Sequence, residues 1–372
     1  MDLKTVSAKS VSNEASHWQS AQLERAVAIR RRSAGLRPGA QTFDLKPSRV
    51  RDRHSEFMDS LIYALARTLV ALIQALPLRL VARLGRALGG LAFHLTARYR
   101  RVTIQNLTRC FESEKSPAEI RELARETFRR IGENYACAVK TAAMSAEALQ
   151  PHVEFVGVEQ LSPKSGAAPL PNVVIAIGHF GNFELYARFH DVRPDYKCAT
   201  TYRALKQPAL NRLLLALRQR SGCLFFERRS DGPLLRAAMG QGGLILGLLA
   251  DQSSKGLRAP FLGHDCDTGL APAVLALRYH TELYTGFCFR VASAKWRLEL
   301  SQKIETHANG HPRPSEEIMR DVNRSFEVAI RRDPANWFWV HRRWKGGASQ
   351  GDAGSQKIEE GRSKLEDGMK LP

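Results

Sequence analysis

From about residue 152 onward, short apolar runs alternate with amphipathic helical patterns, and this alternation restricts the fold more than any other feature of the chain. Strands separated by helices are typical of an α/β protein with a single mixed or parallel sheet and helices on both faces. The predicted strands are 152–156, 173–177, 197–201, 223–226, 244–250, 283–289 and 296–300. The predicted helices are 183–189, 208–220, 232–240, 272–280 and 315–331.

An apolar segment at 54–96 precedes this pattern and is predicted to form a membrane-associated helical hairpin. Its first half has the length needed to span a bilayer, but Asp59 and Arg67 interrupt it, and a central arginine is unfavourable in hydrocarbon. Its second half carries arginines at helical spacing among leucines and valines, which is typical of a helix in the membrane interface. A pair of helices buried in the protein core is the alternative.

The rest of the chain divides into a leader, a main domain and a tail. Residues 1–53 form a polar, basic leader, and 347–372 form a tail rich in glycine, serine and charge; both are predicted to be disordered. The main domain covers 97–346, and its N-terminal part is predicted to be helical. Ser116 and Glu119 have the spacing of a capping box at the start of one of these helices.

The charge of the chain predicts a negatively charged partner. Lys and Arg number 56 against 37 Asp and Glu, a net charge of +19, which suits an anionic membrane, an acidic carrier or substrate, or nucleic acid. The sequence lacks a glycine-rich nucleotide loop, zinc-finger spacing and an RNP-like aromatic block, which disfavours nucleic acid. The six cysteines are scattered without disulfide or metal-ligand spacing, so they are predicted to be reduced core residues, and no metal site is expected.

A histidine followed five positions later by a carboxylate, His179 and Glu184, is the strongest candidate for a catalytic pair. Three other histidines share this spacing, so the spacing alone decides nothing. Only His179 follows a continuous apolar strand, and a turn at Gly181 and Asn182 then leads into the helix that carries Glu184. Open α/β sheets bind ligands at the carboxyl ends of their strands. A structural histidine that is hydrogen-bonded in a turn is the alternative.

The pair predicts chemistry on a hydroxyl that the substrate supplies. His179 would take the proton of that hydroxyl as general base, while Glu184 on the other ring nitrogen would fix the tautomer and stabilise the cation that forms. Backbone amides near Gly181 and Asn182 are expected to stabilise the oxyanion of a tetrahedral intermediate.

Five blocks occur in order over roughly residues 57–346. They are 106–111, followed by Glu112 where proline is usual; 178–184; Tyr202-Arg203 with Asn211 and Ser221-Gly222; 247–252, followed by 261–263 and Thr268; and 337–345. Together they resemble the bacterial lipid A biosynthesis (lauroyl/myristoyl) acyltransferase family, which is related to glycerolipid-type acyltransferases with a histidine-x4-acid motif.

This resemblance implies acyl transfer from an acyl carrier protein thioester to a hydroxyl of a lipid A precursor, in lipopolysaccharide biosynthesis. It implies His179 as general base and Glu184 as its partner, without a metal or an organic cofactor. The implied location is the cytoplasmic face of the inner membrane. The implied partners are acyl carrier protein, a phosphorylated glycolipid acceptor and the anionic membrane surface, and not nucleic acid.

Three further residues that follow predicted strands are assigned to the site. Arg203 is predicted to contact phosphate or polarise the thioester, with a surface salt bridge as the alternative. Asp251 and Gln252 are predicted either to order the active-site loop or to contact substrate.

At the C-terminal end of the main domain, Arg342, Arg343 and Lys345 lie beside tryptophans and are predicted to bind a phosphate of the acceptor. Anchoring in the membrane interface is the alternative. For the whole chain, the alternatives are an acyltransferase that acts on another glycolipid or on glycerophosphate, and a basic protein that binds membranes or nucleic acid without catalysis.

Overall fold

The structure, a computed structural model, describes residues 53–161 and 170–344. Its strands are β1 (Val153–Val156), β2 (Val173–Ile177), β3 (Lys197–Tyr202), β4 (Leu224–Glu227), β5 (Leu244–Leu249), β6 (Ser253–Phe261), β7 (His264–Thr268), β8 (Glu282–Ala292), β9 (Lys295–Leu300), β10 (His307–Ala308) and β11 (His311–Pro312). The α-helices are α1 (Arg53–Ala75), α2 (Leu78–Leu95), α3 (Ala97–Phe111), α4 (Pro117–Thr141), α5 (Ala146–Leu149), α6 (Pro208–Gln219), α7 (Gly232–Gln241), α8 (Ala271–Arg278) and α9 (Ser315–Arg332). Four segments are 3₁₀ helices: Gln150–His152, Val158–Leu161, Phe183–Asp191 and Pro334–Asn336. Apart from Arg53, the predicted leader and tail lie outside the described residues.

Seven strands form one mixed sheet in the order β1-β9-β8-β2-β5-β3-β4. The strands from β8 to β4 in this order are parallel to one another, while β9 and β1 run in the opposite direction. Every residue of β2 is buried, as expected for a central strand that is covered on both faces. The predicted single mixed sheet is confirmed, and all seven predicted strands are present in it.

The strand prediction missed the antiparallel hairpin of β6 and β7, which lies outside the main sheet. Gly256 and Pro260 interrupt the apolar alternation of β6, and both residue types are poor strand signals. The turn is formed by Leu262 and Gly263, both with positive φ (51° and 79°). Tertiary contacts of the buried Ala259 and Phe261 therefore hold a strand that its local sequence does not favour.

The capping box predicted from Ser116 and Glu119 is present at the start of α4. The Ser116 side chain accepts a hydrogen bond from the Glu119 amide (3.3 Å), and the Glu119 carboxylate accepts one from the Ser116 amide (2.8 Å). These bonds satisfy two backbone donors that the helix itself leaves unpaired. Helix α4 thus begins where the sequence predicts.

Helix α2, the second half of the predicted hairpin, is built into the core on one face. Its buried residues are Leu78, Val81, Ala82, Gly85, Gly89 and Phe93. They pack along α4. The backbones of the two helices are in contact because glycines lie in the interface, Gly85 and Gly89 on α2 and Gly132 on α4. The opposite face of α2 exposes Leu80, Leu84, Leu88, Leu91 and Leu95. One face of this helix therefore belongs to the folded domain, while the other is free to meet a membrane.

The close packing of α2 on α4 makes Gly89→Ala destabilising. The added Cβ would overlap the Phe128 carbonyl oxygen and lie 3.0 Å from the Arg129 Cα. We expect the free energy of unfolding to fall by about 1–3 kcal/mol, as measured by denaturation of the detergent-solubilised protein. Gly90→Ala is the matched control, because its Cβ would lie 3.6 Å from its nearest neighbour, the Arg129 Cγ. That variant is expected to be neutral or slightly more stable, and equal midpoints for the two variants would contradict the packing.

Helix α1 is long and apolar enough over Phe57–Ala75 to cross a membrane, and no residue of that stretch is buried. Length and composition alone identify it as a candidate span. It contacts α6 and the residue before it: the side chain of Gln207, which precedes α6, donates to the Asp59 carboxylate (3.0 Å), and the Arg212 guanidinium lies 5.5 Å from the centre of the Tyr63 ring. An apolar surface left exposed beside such contacts is typical of membrane or protein interfaces.

Candidate active site

His179 and Asp251 follow neighbouring parallel strands and meet at the carboxyl edge of the sheet. Ile177 of β2 lies opposite Leu249 of β5, and each site residue comes two positions after one of this pair. The Nδ1 atom of His179 is 2.8 Å from the Oδ1 atom of Asp251. Two residues that the sequence assigns to the site are therefore in direct contact, at the edge where α/β sheets bind ligands.

The Asp251 carboxylate is fully buried and has three hydrogen-bond partners. Its Oδ1 atom faces the His179 ring, and its Oδ2 atom accepts from the His179 amide and from the Trp337 indole, both at 2.7 Å. Burial opposes ionisation, but the electrostatic interaction with the His179 ring and these hydrogen bonds outweigh it and hold the pKa of Asp251 below its ordinary value. An ionised Asp251 makes Nδ1 of His179 a donor, which leaves Nε2 as the proton acceptor.

Glu184 is bound to Arg218 instead of to the imidazole. Its two carboxylate oxygens accept hydrogen bonds of 2.5 and 3.0 Å from the guanidinium of that residue. The Phe183 ring occupies the space beside the imidazole, with the ring centres 5.0 Å apart. This corrects the predicted arrangement, because Asp251 and not Glu184 holds the tautomer of His179. A catalytic role for Glu184 stays a prediction.

His179 lines a cleft between α4 and the C-terminal segment. The Nε2 atoms of Gln252 and His179 are 3.4 Å apart, an arrangement in which the amide of Gln252 points its hydrogens at the unprotonated ring nitrogen. Phe183 and Phe338 flank the imidazole, and Tyr135 completes the apolar side of the cleft. An acceptor hydroxyl that binds at Nε2 would have to displace the Gln252 amide.

The predicted oxyanion donors are only partly available. The amide of Gly181 already donates to the Asn336 carbonyl (3.1 Å). Its φ of 51° and the nearby Cys288 carbonyl, which a Cβ would overlap, explain why glycine is required there. Gly181 therefore shapes the turn, and its amide is not the predicted oxyanion donor. The side chain of Asn182 is buried and its Nδ2 atom lies 3.4 Å from the Thr141 hydroxyl; its predicted role remains untested.

Arg343 is a core residue and not a phosphate ligand. Its side chain is fully buried, and it donates to the Thr268 hydroxyl (2.9 Å) and to the Asp267 carbonyl of β7. The guanidinium also lies 4.8 Å from the centre of the Phe261 ring. The prediction for Arg343 is wrong because tertiary packing closes over a residue whose local sequence looks like a surface patch.

The other predicted cations have less defined surroundings. Arg203 is exposed after β3, and β5 lies between that strand and β2, so Arg203 and His179 follow strands that are not neighbours in the sheet. Arg342 is exposed. Lys345 lies outside the described residues. The roles predicted for these three side chains stay predictions.

Sequence reasoning missed two residues of the site. Trp337 reaches Asp251 because Phe180 and Trp337 form an antiparallel bridge, which brings the C-terminal segment to the end of β2. Its position in the last of the five sequence blocks was the one signal for it. Arg218 is one of several arginines in and around α6, and no local pattern distinguishes it from the others.

Comparison with known protein families identifies the family of the chain. A family model described as bacterial lipid A biosynthesis acyltransferase matches residues 51–346. No curated protein matches the chain. The matched range is most of the chain and contains His179, Asp251, Trp337 and the apolar helix α1. The chain therefore belongs to the bacterial lipid A biosynthesis acyltransferase family, and its activity is acyl transfer in lipid A synthesis.

Proposed function

We propose that the protein transfers a fatty acyl chain from the thioester of acyl carrier protein to a hydroxyl of a lipid A precursor, with His179 as general base. The supporting observation is the buried carboxylate of Asp251 on Nδ1 of His179, 2.8 Å away. It makes Nε2 the ring nitrogen that carries the lone pair, so that Nε2 can take a proton once the acceptor hydroxyl displaces the Gln252 amide, and it stabilises the imidazolium that then forms.

In the proposed reaction, the acceptor hydroxyl approaches Nε2 of His179 and loses its proton to that nitrogen. Its oxygen attacks the thioester carbonyl carbon, and the carbonyl π electrons move to oxygen. The tetrahedral intermediate then expels the thiol sulfur with the electrons of the C–S bond, which leaves an ester on the acceptor. The proton held on Nε2 passes to the departing thiolate. Thiolates leave readily because of their low pKa, so little acid assistance is needed.

Exposed cations at the same edge of the sheet support an acidic donor protein. Arg203, Lys206, Arg228 and Arg229 are exposed, and none of them forms an ion pair with another residue in the described part of the chain. The loops after β3 and β4 leave the sheet side by side, because the Arg228 amide donates to the Tyr202 carbonyl (3.0 Å). Acyl carrier proteins are acidic, and a positive surface would raise their rate of association.

The exposed leucines of α1 and α2 support a membrane location. We infer that these faces meet the inner membrane from its cytoplasmic side, where the lipid acceptor is held. A net charge of +19 suits the anionic lipids of that leaflet. The candidate span in α1 and the exposed face of α2 would then anchor the domain with its active-site cleft near the lipid surface.

Mass spectrometry of reaction products tests the proposal. The full-length protein in anionic vesicles is supplied with a lipid A precursor and with lauroyl or myristoyl groups on acyl carrier protein or on pantetheine. We expect the acceptor to gain one acyl chain. At low salt, we expect acyl carrier protein to be preferred by about tenfold or more in kcat/KM, and this preference to shrink as salt rises.

The outcomes separate the parts of the proposal. If neither donor acylates the lipid A precursor, the proposed reaction is wrong. If both donors are used equally at low salt, only the carrier protein is excluded as the recognised donor.

A further inference from the structure

One face of the sheet carries an apolar cavity beneath the 3₁₀ helix Phe183–Asp191. The space between the atoms that line it, with the open solvent at its mouth counted in, is about 750 Å³. The walls are formed by side chains that point to this face from β2, β3, β4, β5 and β9, among them Ile175, Cys198, Phe225, Ile245 and Leu300. An apolar cavity of this kind favours a hydrocarbon ligand over a polar one.

The cavity adjoins the cleft that contains His179. Phe183 and Glu184 line both spaces. The Glu184–Arg218 ion pair forms a polar patch in a wall that is otherwise mainly apolar. A thioester carbonyl held beside an acceptor hydroxyl at His179 would therefore have the cavity close by for its alkyl chain.

Two glycines widen the cavity on either side of β2. Gly247 of β5 lies opposite Ile175, and Gly286 of β8 lies opposite Ile177. Paired residues of parallel strands point to the same face of the sheet, so both positions present a hydrogen to the cavity where another residue would present a side chain. The two positions differ in the space that they leave for a Cβ atom.

A Cβ at position 286 would lie 3.1 Å from methyl groups of both Ile175 and Ile177, which is too tight without movement. A Cβ at position 247 would lie 3.4 Å from the Ile177 Cδ1, its nearest neighbour, which is an ordinary contact. Gly247 can therefore be replaced by alanine with the least disturbance to the sheet, while the added carbon takes room from the cavity.

We propose that this cavity holds the alkyl part of the transferred acyl group and that Gly247 sets the longest chain accepted. This inference rests on the acyl transfer proposed above. A side chain at position 247 enters the cavity, so a chain that fills the wild-type space would have to leave part of itself in water. Shorter chains would still be enclosed. The substitution therefore changes the preference among chain lengths and not the reaction itself.

The test compares Gly247→Ala and Gly247→Val with the wild type over a series of acyl carrier proteins that carry 10- to 16-carbon chains. For the longest chain that the wild type uses well, relative to one two carbons shorter, we expect kcat/KM to fall about tenfold with alanine. A larger shift is expected with valine. Gly240→Ala is the control, because its Cβ would meet nothing within 4 Å and the residue lies outside the cavity. It should keep the wild-type profile.

A binding measurement separates the cavity from the reaction. The fluorescence of dansyl-undecanoate, with unlabelled fatty acids of graded length as competitors, should report the same shift in length preference without any catalysis. The proposal is overturned if the Gly247 variants reduce all chain lengths equally or leave both profiles unchanged. A wild type that binds the probe with the expected length dependence but transfers no acyl chain would refute the proposed function and leave the cavity assignment standing. Gly247→Ala decides the matter if the valine variant does not fold.

Discussion

His179→Ala is expected to lower the rate of acyl transfer by a factor of about 10³–10⁴ without unfolding the protein. The imidazole is the proton acceptor of the proposed reaction, and alanine leaves the attacking hydroxyl with its proton. The ring lies at the surface of a cleft, with its side chain 15% exposed, so its loss removes few core contacts. The measurement is kcat with acyl carrier protein as donor, together with a denaturation curve.

A matched control is present in the same chain. His311 is also followed five positions later by a carboxylate, Glu316, but it lies exposed in the short strand β11. His311→Ala should therefore keep the wild-type rate. If His179→Ala also keeps it, the assignment of the base is wrong. If both variants lose activity, the spacing that the two histidines share would identify functional histidines, and the position of His179 after a strand would not.

Asp251→Asn is the second change with a large expected effect, a loss of about 10²–10⁴ in kcat. Asparagine has one acceptor oxygen, whereas Asp251 accepts on Oδ1 from His179 Nδ1 and on Oδ2 from the His179 amide and the Trp337 indole. If the amide oxygen replaces Oδ2, the NH₂ group faces Nδ1 and forces that nitrogen to be the acceptor. If it replaces Oδ1, the NH₂ group faces two N–H donors.

In the first arrangement the NH₂ group faces one nitrogen instead of two N–H donors, so we expect the variant to adopt that arrangement. It moves the imidazole proton to Nε2, so the nitrogen in the cleft can no longer take a proton from the acceptor. The tautomer of His179 can be measured directly, and it would not change if Asp251 only stabilised the fold. Nitrogen NMR of the histidine-labelled protein, with the signal assigned by its absence in His179→Ala, should show the protonated nitrogen change from Nδ1 to Nε2.

Glu184→Gln is the comparison for this experiment. It removes the same charge, but its partner is Arg218 and not the imidazole. We expect the tautomer signal of His179 to be unchanged in that variant, whatever the effect on the rate. A tautomer that changes in Glu184→Gln and not in Asp251→Asn would restore Glu184 as the orienting carboxylate and refute the assignment of Asp251.

Local sequence patterns were sufficient for much of the fold. The unbroken apolar run at 173–177 predicts a buried strand, and β2 has those bounds. The capping box at Ser116 and Glu119 predicts the start of α4, because it depends on residues only three positions apart. The hairpin β6–β7 escaped prediction because contacts with distant residues, and not its own alternation, stabilise it.

The candidate site was only half predictable. A polar residue directly after an apolar strand marks the carboxyl edge of the sheet, and this pattern selected both His179 and Asp251. It could not pair them, because the pairing depends on β5 lying beside β2, and the order of strands is a property of the whole sheet. Glu184 was the nearest carboxylate in sequence, but Asp251 is the one that touches the ring.

Outside the hairpin β6–β7, the amino-acid sequence by itself determined most of the segments that become strands and helices, and which side chains stand at strand ends, because these depend on residues a few positions apart. Only the tertiary structure decided which of these side chains meet. It buried Arg343 under β7, fitted glycines between α2 and α4, and placed the Trp337 indole on Asp251. The physical reason is that a hydrogen bond or a packing contact depends on distance in space, and strand order and helix crossing set that distance for residues far apart in the chain.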